Sequence, residues 1–178
     1  MTDLRYATAN NFVGRNMYVG HDCAWLHRDA ANALTNVAIK LRAVRPELRL
    51  LLLDALRPQR VQELMWNTLE GTDLRKYLAP PDRGSIHSFG MAVDVTLIDT
   101  DGNELDMGTS FDDLSERSHP ALETELLLRG ELTPEQIANR QILREVMVPN
   151  GWQGISTEWW HFDCGDRQLV RENYTRIL

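Results

Sequence analysis

The sequence predicts an α+β fold, a single domain over residues 1–178 in which a mostly antiparallel sheet is flanked by helices. Segments with helical periodicity alternate with short apolar or β-rich segments along the chain. An Asp-Gly turn within 99–103 follows one predicted strand and favours a hairpin over a parallel crossover. The length of 178 residues suits one domain with its own core.

The first half of the chain predicts two helices around one strand. A helix is expected over 27–44, where apolar residues share one face and Pro46 follows. Leu48–Leu53 contains the uninterrupted apolar run Leu50–Leu53 and is expected to be a buried strand. Pro58 suits the first position of a second helix. The inner faces are expected to include Val44 in the first helix and Val61, Leu64 and Met65 in the second.

The second half predicts two strands and one long helix. Met91–Ile98 is β-rich and alternating, whereas Glu104–Ala121 is polar and expected to be irregular. Thr133 and Gln136 form a capping box that begins a helix, with Pro134 between them. Glu158–Asp163 is expected to be a strand because of its aromatic content.

Charge and composition exclude several classes of protein. The chain has 19 Lys and Arg against 26 Asp and Glu, a net charge of −7, which argues against a nucleic-acid partner. The longest apolar run, Leu50–Leu53, is far below the ~20 residues of a membrane span. Cys23 and Cys164 are expected to be buried free thiols. The first residues lack a signal-peptide pattern, so a cytoplasmic location is expected, or a periplasmic one if a signal has been removed.

Two short segments carry the residue types of a metal site. His87 precedes a predicted strand that contains Asp94, and Glu158 and His161 lie close together near the start of another. Two histidines and one carboxylate form a catalytic type of zinc site, with the fourth position left to water. The alternative, ordinary buried or surface polar residues, stays open on spacing alone. Asp94 lies among apolar neighbours, and its burial is costly unless it is paired or binds a metal.

One feature of the spacing argues against a shared site. In a regular strand Glu158 and His161 would point to opposite faces. Both can reach one metal only if the chain bends or begins irregularly at Glu158. Gly151 and Gly154, just upstream, leave room for such a bend.

The patterns SxHxxGxAxD and ExWH resemble the signature of the D-alanyl-D-alanine dipeptidase family of zinc peptidases, which is related to the D,D-carboxypeptidases. The matching residues are Ser85, His87, Gly90, Ala92, Asp94, Glu158, Trp160 and His161. Segments at 4–12, 54–58, 105–112 and 116–119 also resemble the family, in order along the chain. Leu56 stands where the family usually has Tyr.

The resemblance implies a zinc D,D-peptidase-like fold and one zinc ion per chain, bound by His87, Asp94 and His161. Glu158 would be the general base, and Arg57 would donate to the carbonyl oxygen as it becomes an oxyanion. Without the resemblance, Arg57 would be interpreted as a surface arginine at the end of a strand.

The resemblance also implies a small dipeptide as substrate. Asp112, with Tyr6, would bind its ammonium group, and Ser85 its carboxylate. The alternatives are a turn carboxylate for Asp112 and a local backbone hydrogen bond for Ser85. The expected reaction is hydrolysis of D-Ala-D-Ala to two D-alanines. A D,D-carboxypeptidase acting on peptidoglycan stem peptides is the close alternative. A metal-binding module without catalysis is a third interpretation, which the presence of Glu158 and Arg57 disfavours.

Overall fold

Four antiparallel strands form one sheet in the computed structural model, which describes all 178 residues. In chain order the strands are β1 (Arg49–Asp54), β2 (Ala92–Ile98), β3 (Trp152–Gly154) and β4 (His161–Cys164). Their order in the sheet is β1-β2-β4-β3, and every neighbouring pair is antiparallel. The predicted α+β fold with an antiparallel sheet is therefore confirmed.

Five helices accompany the sheet: α1 (Arg28–Val44), α2 (Gln59–Thr68), α3 (Glu123–Leu128), α4 (Pro134–Met147) and α5 (Arg167–Asn173). The predicted capping box is present at α4, where the Thr133 hydroxyl accepts from the Gln136 N–H and Gln136 Oε1 accepts from the Thr133 N–H. This arrangement satisfies backbone donors that the first turn leaves free. None of the helices has the length and apolar character needed to cross a membrane.

The main core lies between the sheet and helices α1 and α4. Alternate residues of β2 point to opposite faces, so Val93, Val95 and Leu97 enter this core. Helices α1 and α4 cover them with Val37, Leu41, Leu143 and Val146. The other residues of β2, Asp94 among them, face the opposite side. A smaller apolar cluster joins the N-terminal segment to α2 and contains Tyr6, Met17, Tyr18, Cys23, Val61 and Met65.

Several predicted details are confirmed. The Asp99 N–H donates to the Asn103 carbonyl oxygen at 2.9 Å, and the Leu105 N–H donates to Leu97, which closes the expected short hairpin. Glu104–Ala121 is irregular apart from short 3₁₀ turns. Cys23 and Cys164 are free and buried.

Other details of the prediction are wrong. The last strand begins at His161, not Glu158, and β3, α3 and α5 were not predicted. Pro58 precedes α2 as its N-cap and is not its first residue. Leu64 is 42% exposed because Val61 and Met65, one turn apart, define the inner row of α2. Val44, the last residue of α1, is 48% exposed because it lies where the helix leaves the core.

Gly90 has a backbone conformation that the fold requires. It ends the 3₁₀ turn Ile86–Phe89 with φ of +64°. Its carbonyl oxygen accepts from the His27 N–H at 2.8 Å, so two backbones meet here. A Cβ at this position would lie 2.8 Å from the His27 nitrogen. Only glycine therefore fits between this turn and the start of α1.

Gly90→Ala is expected to destabilise the protein more than Gly102→Ala. Both glycines have positive φ, but a Cβ at Gly102 meets nothing within 4 Å. Backbone strain should cost about 1–2 kcal/mol at either position. The clash should add about 1–3 kcal/mol at Gly90 alone. Urea unfolding of the two variants measures the difference, and equal losses would contradict the steric argument.

Candidate active site

The register of the sheet places three ionisable residues in one row. Asp94 of β2 lies opposite Asp54 of β1 and opposite His161 of β4. Directly paired residues of antiparallel strands point to the same face. An irregularity between Leu52 and Asp54 brings Asp54 into this row. The three side chains therefore project from the face opposite the main core.

His87 completes a cluster of three side chains that could hold a metal ion. It lies in the turn before β2 and is 1% exposed. Its Nε2 atom is 3.2 Å from His161 Nδ1 and 3.3 Å from Asp94 Oδ1, and the latter two atoms are 3.0 Å apart. Tetrahedral zinc with ligand bonds of about 2.0–2.2 Å has ligands about 3.3–3.6 Å apart. The cluster agrees with this spacing to within a few tenths of an ångström.

The outer nitrogens of both imidazoles are already occupied. His87 Nδ1 faces the Ala55 carbonyl oxygen at 2.7 Å, and His161 Nε2 faces Asp163 Oδ1 at 2.9 Å. Both oxygens are acceptors, so these nitrogens carry the hydrogens of the neutral rings. The inner nitrogens then direct lone pairs towards each other and towards Asp94. Three acceptors this close repel one another unless a proton or a metal cation lies between them, so the donor set fits a metal ion.

The same contacts shift two pKa values. Burial disfavours an ionised Asp94, but His87 and His161 outweigh it and hold the pKa of Asp94 well below its usual range. Burial also disfavours a charged His161, yet Asp163 and Asp94 raise the pKa of His161 above its usual value. A proton therefore competes with a cation for this cluster, and metal binding should release protons.

Arg57 is a buried, fixed cation beside the cluster. It is 6% exposed, so its alternative interpretation as a surface arginine is wrong. Its Nε and Nη2 atoms donate to Asp54 Oδ2 at 3.0 and 2.7 Å, and Nη1 donates to Gln62 at 3.2 Å. Nη2 is also 3.4 Å from Asp94 Oδ2. The guanidinium lies 4.9 Å from the centre of the Tyr6 ring, which limits its movement further.

One cavity of about 290 Å³ contains every candidate residue of the sequence analysis. These residues are Tyr6, Arg57, Ser85, His87, Asp94, Asp112, Glu158 and His161. The volume lies at the lower end of the ~300–1,000 Å³ typical of ligand pockets. Four basic residues that were not predicted also line it: Lys76, Arg83, Arg167 and Arg171. The cavity therefore suits a small ligand with charged ends.

Glu158 reaches the cavity because it lies before β4 and not in it. The chain bends at Trp159 and Trp160, and the strand begins only at His161. This is the irregular start that the spacing requires. Burial raises the pKa of Glu158 to about 7, against the opposing effect of His161. A carboxyl group with such a pKa can both accept and return a proton near neutral pH.

Asp112 and Tyr6 come together from distant parts of the chain. Asp112 accepts from the Tyr6 hydroxyl at 2.8 Å and from the Phe12 N–H at 3.2 Å. Its φ of +63° lies in the left-handed region. Burial raises the pKa of Asp112 to about 8, and Asp94 adds to the effect. Ser85 is 7% exposed and makes no capping hydrogen bond with the turn that follows it, so its hydroxyl has no such local role.

Two residues next to the cluster were missed by the sequence analysis. Asp163 binds the outer nitrogen of His161, and Asp54 binds Arg57. Both had a signal in the sequence, because Asp163 follows His161 by two residues on one strand face and Asp54 precedes Arg57 by three. Of the histidines not predicted as ligands, His27 caps α1 and His119 lies 3.2 Å from the Tyr77 hydroxyl.

Comparison with known families agrees with this geometry. The Peptidase M15 family, described as D-Ala-D-Ala dipeptidase, matches residues 1–177. The chain belongs to this family. It is thus a peptidase, and its His-Asp-His cluster could bind the metal ion of a metallopeptidase.

Named relatives lead to the same family. A D-alanyl-D-alanine dipeptidase of Escherichia coli K12 is 38% identical over 161 residues, which cover 90% of this chain and 77% of the relative. One from Enterococcus faecium is 31% identical over 180 residues, covering 92% and 85% of the two chains. One from Enterococcus faecalis is 30% identical over 188 residues, covering 97% and 87%.

Asp112→Asn should change how stability depends on pH. The folded protein keeps a proton on Asp112 up to about pH 8, whereas an ordinary Asp releases it near 3.8. Between these values the folded state binds more protons than the unfolded state, so the wild type loses stability as pH rises. Asn does not titrate. As the pH increases from 3.8 to about 8, the free energy of unfolding of the variant should therefore rise relative to that of the wild type, by more than about 1 kcal/mol in total.

Urea unfolding of the wild type and the variant near pH 4 and near pH 8, in the presence of a chelator, measures this difference in stability. Asn also accepts the left-handed conformation, so strain should not obscure the result. A difference between the two proteins that does not vary with pH would show that Asp112 titrates normally.

Proposed function

We propose that this peptidase is a zinc-dependent dipeptidase that hydrolyses D-Ala-D-Ala to two D-alanines. The observation that carries the proposal is the single small cavity in which a His-Asp-His cluster, a buried carboxyl, a buried guanidinium and a second carboxyl meet. The relatives described above are named for this activity.

His87 Nε2, Asp94 Oδ1 and His161 Nδ1 would hold the zinc ion, because these are the atoms that face one another. When bound, zinc supplies Lewis acidity and lowers the pKa of a coordinated water towards ~7. Neutral imidazoles and one carboxylate leave net positive charge at the site, which favours a developing oxyanion.

Glu158 would act as the general base. It lines the same cavity as the cluster, and its raised pKa of about 7 suits a group that accepts a proton from the attacking water. The same carboxyl would then deliver the proton to the leaving amine. One residue can serve both steps because the C–O bond to the attacking water forms, and the C–N bond to the leaving amine breaks, at the same carbonyl carbon.

Arg57 would donate to the carbonyl oxygen as negative charge develops on it. Its position is fixed by Asp54 and Gln62, so little reorganisation is needed during the reaction. Its contact with Asp94 places this positive charge next to the metal cluster.

The two ends of the dipeptide would bind to different parts of the cavity. The substrate ammonium would pair with Asp112, whose other contacts come from Tyr6 and Phe12. Asp112 has no cation of its own, and a substrate ammonium would stabilise its ionised form. The Ser85 hydroxyl would donate to the carboxylate end of the substrate.

Glu158→Gln should keep zinc and lose activity. The amide cannot accept the proton, so kcat for D-Ala-D-Ala should fall by roughly 10²–10⁴-fold. His87→Ala is the matched variant and should lose both zinc and activity. Zinc content after dialysis and release of D-alanine are the two measurements.

Each outcome of these variants is informative. Loss of zinc from Glu158→Gln would make Glu158 a ligand. Full zinc in His87→Ala would refute the proposed ligand set. A wild type that binds zinc but hydrolyses no dipeptide would be a metal-binding module without catalysis.

The free dipeptide should be hydrolysed at least 10²-fold faster than N-acetyl-D-Ala-D-Ala. Acetylation removes the ammonium, so the charge pair with Asp112 cannot form, and a site built around such a polar group discriminates strongly against an analogue that lacks it. Asp112→Asn should reduce the ratio of the rate for the free dipeptide to the rate for the acetylated one, mainly by slowing hydrolysis of the free dipeptide. Comparison of kcat/KM for both substrates in both proteins measures this. Equal rates for the wild type, or faster hydrolysis of a pentapeptide, would favour a D,D-carboxypeptidase.

A further inference from the structure

Asp163 is a buried carboxylate that the proposed reaction does not use. It is 1% exposed and follows His161 by two residues in β4. Residues two apart in a strand point to the same face, so both side chains are on the cavity side of the sheet. Asp163 Oδ1 accepts from His161 Nε2 at 2.9 Å.

The second oxygen of Asp163 is also occupied. Asp163 Oδ2 accepts from Arg167 Nε, at the start of α5. The backbone at Asp163 is paired with Ala92 of β2 on one side and with Gln153 of β3 on the other. Asp163 is therefore held at its backbone and at both carboxylate oxygens. With Oδ1 on the outer nitrogen of His161, Asp163 is not one of the three clustered ligands.

We propose that Asp163 is a positioning residue for the metal, because it holds His161 in the tautomer and orientation that direct Nδ1 towards His87 and Asp94. An acceptor at Nε2 requires the hydrogen to be there and leaves the lone pair on Nδ1. The inference rests on the proposed zinc dependence.

Asp163 also makes the two imidazoles chemically different. The partner of His87 is the neutral carbonyl oxygen of Ala55, whereas that of His161 is a carboxylate. A charged acceptor on the outer nitrogen increases the basicity of the ring and strengthens its bond to the metal. His161 is accordingly the stronger imidazole ligand, and Arg167 keeps the carboxylate aligned with it.

The test is the zinc dissociation constant, measured by competition with a chromophoric chelator. Asp163→Ala and Asp163→Asn should each bind zinc about 10–100-fold more weakly than the wild type. Asn preserves the shape of the side chain, so it tests the charge even if the Ala variant does not fold. Glu123→Gln is the matched control, since Glu123 is a buried acid paired with Arg144 outside the cavity, and it should bind zinc normally.

Cobalt substitution gives a second measurement that does not depend on activity. The visible spectrum of the cobalt protein should change in Asp163→Asn, because the His161 ring loses its fixed orientation, and should be unchanged in Glu123→Gln. Wild-type zinc affinity in Asp163→Asn, or an equal loss in Glu123→Gln, would overturn the role of Asp163. Failure of the wild type to bind zinc would instead refute the proposed zinc dependence.

Discussion

The site depends on the pairing of Asp94 with Asp54 on one neighbouring strand and with His161 on the other. Side chains alternate along a strand, so a slip of one residue in either pairing would move a member of this row to the core face. The register is kept by the residues between them, because Val93 and Val95 must enter the core below α1 and α4. Packing on one face of the sheet thus determines the geometry of the polar cluster on the other.

Burial of so many charges is costly, and the site offsets part of the cost by pairing some of its carboxylates with arginines. Asp54 has Arg57, and Asp163 has Arg167. Asp94 has a weaker contact with Arg57, and its Oδ1 atom faces the inner nitrogens of two imidazoles. It is the carboxylate for which a divalent cation completes the charge balance, since a buried charge without a partner is strongly destabilising. The electrostatics and the ligand spacing thus lead to the same conclusion about metal binding.

The sequence predicted the parts of the molecule that follow from local patterns. Apolar continuity and alternation located β1 and β2, and the capping box located α4, because these signals are generated within one element. β3 has only three residues and α5 only seven, too few for a period to be recognised. The motifs indicated the metal cluster, but the hydrogen bond between Tyr6 and Asp112 joins residues 106 positions apart and arises only from tertiary packing.

The two halves of the cavity are built in different ways, and this has a consequence for specificity. Asp94 and His161 lie on paired strands, and His87 lies in a turn fixed by Gly90, so the end with the His-Asp-His cluster is rigid. Asp112 lies in an irregular segment, and its contacts to Phe12 and Tyr6 come from the N-terminal segment. Loops tolerate substitution and insertion better than the strands of a sheet. The end proposed to bind the substrate ammonium can therefore vary in sequence while the register that holds the His-Asp-His cluster stays unchanged.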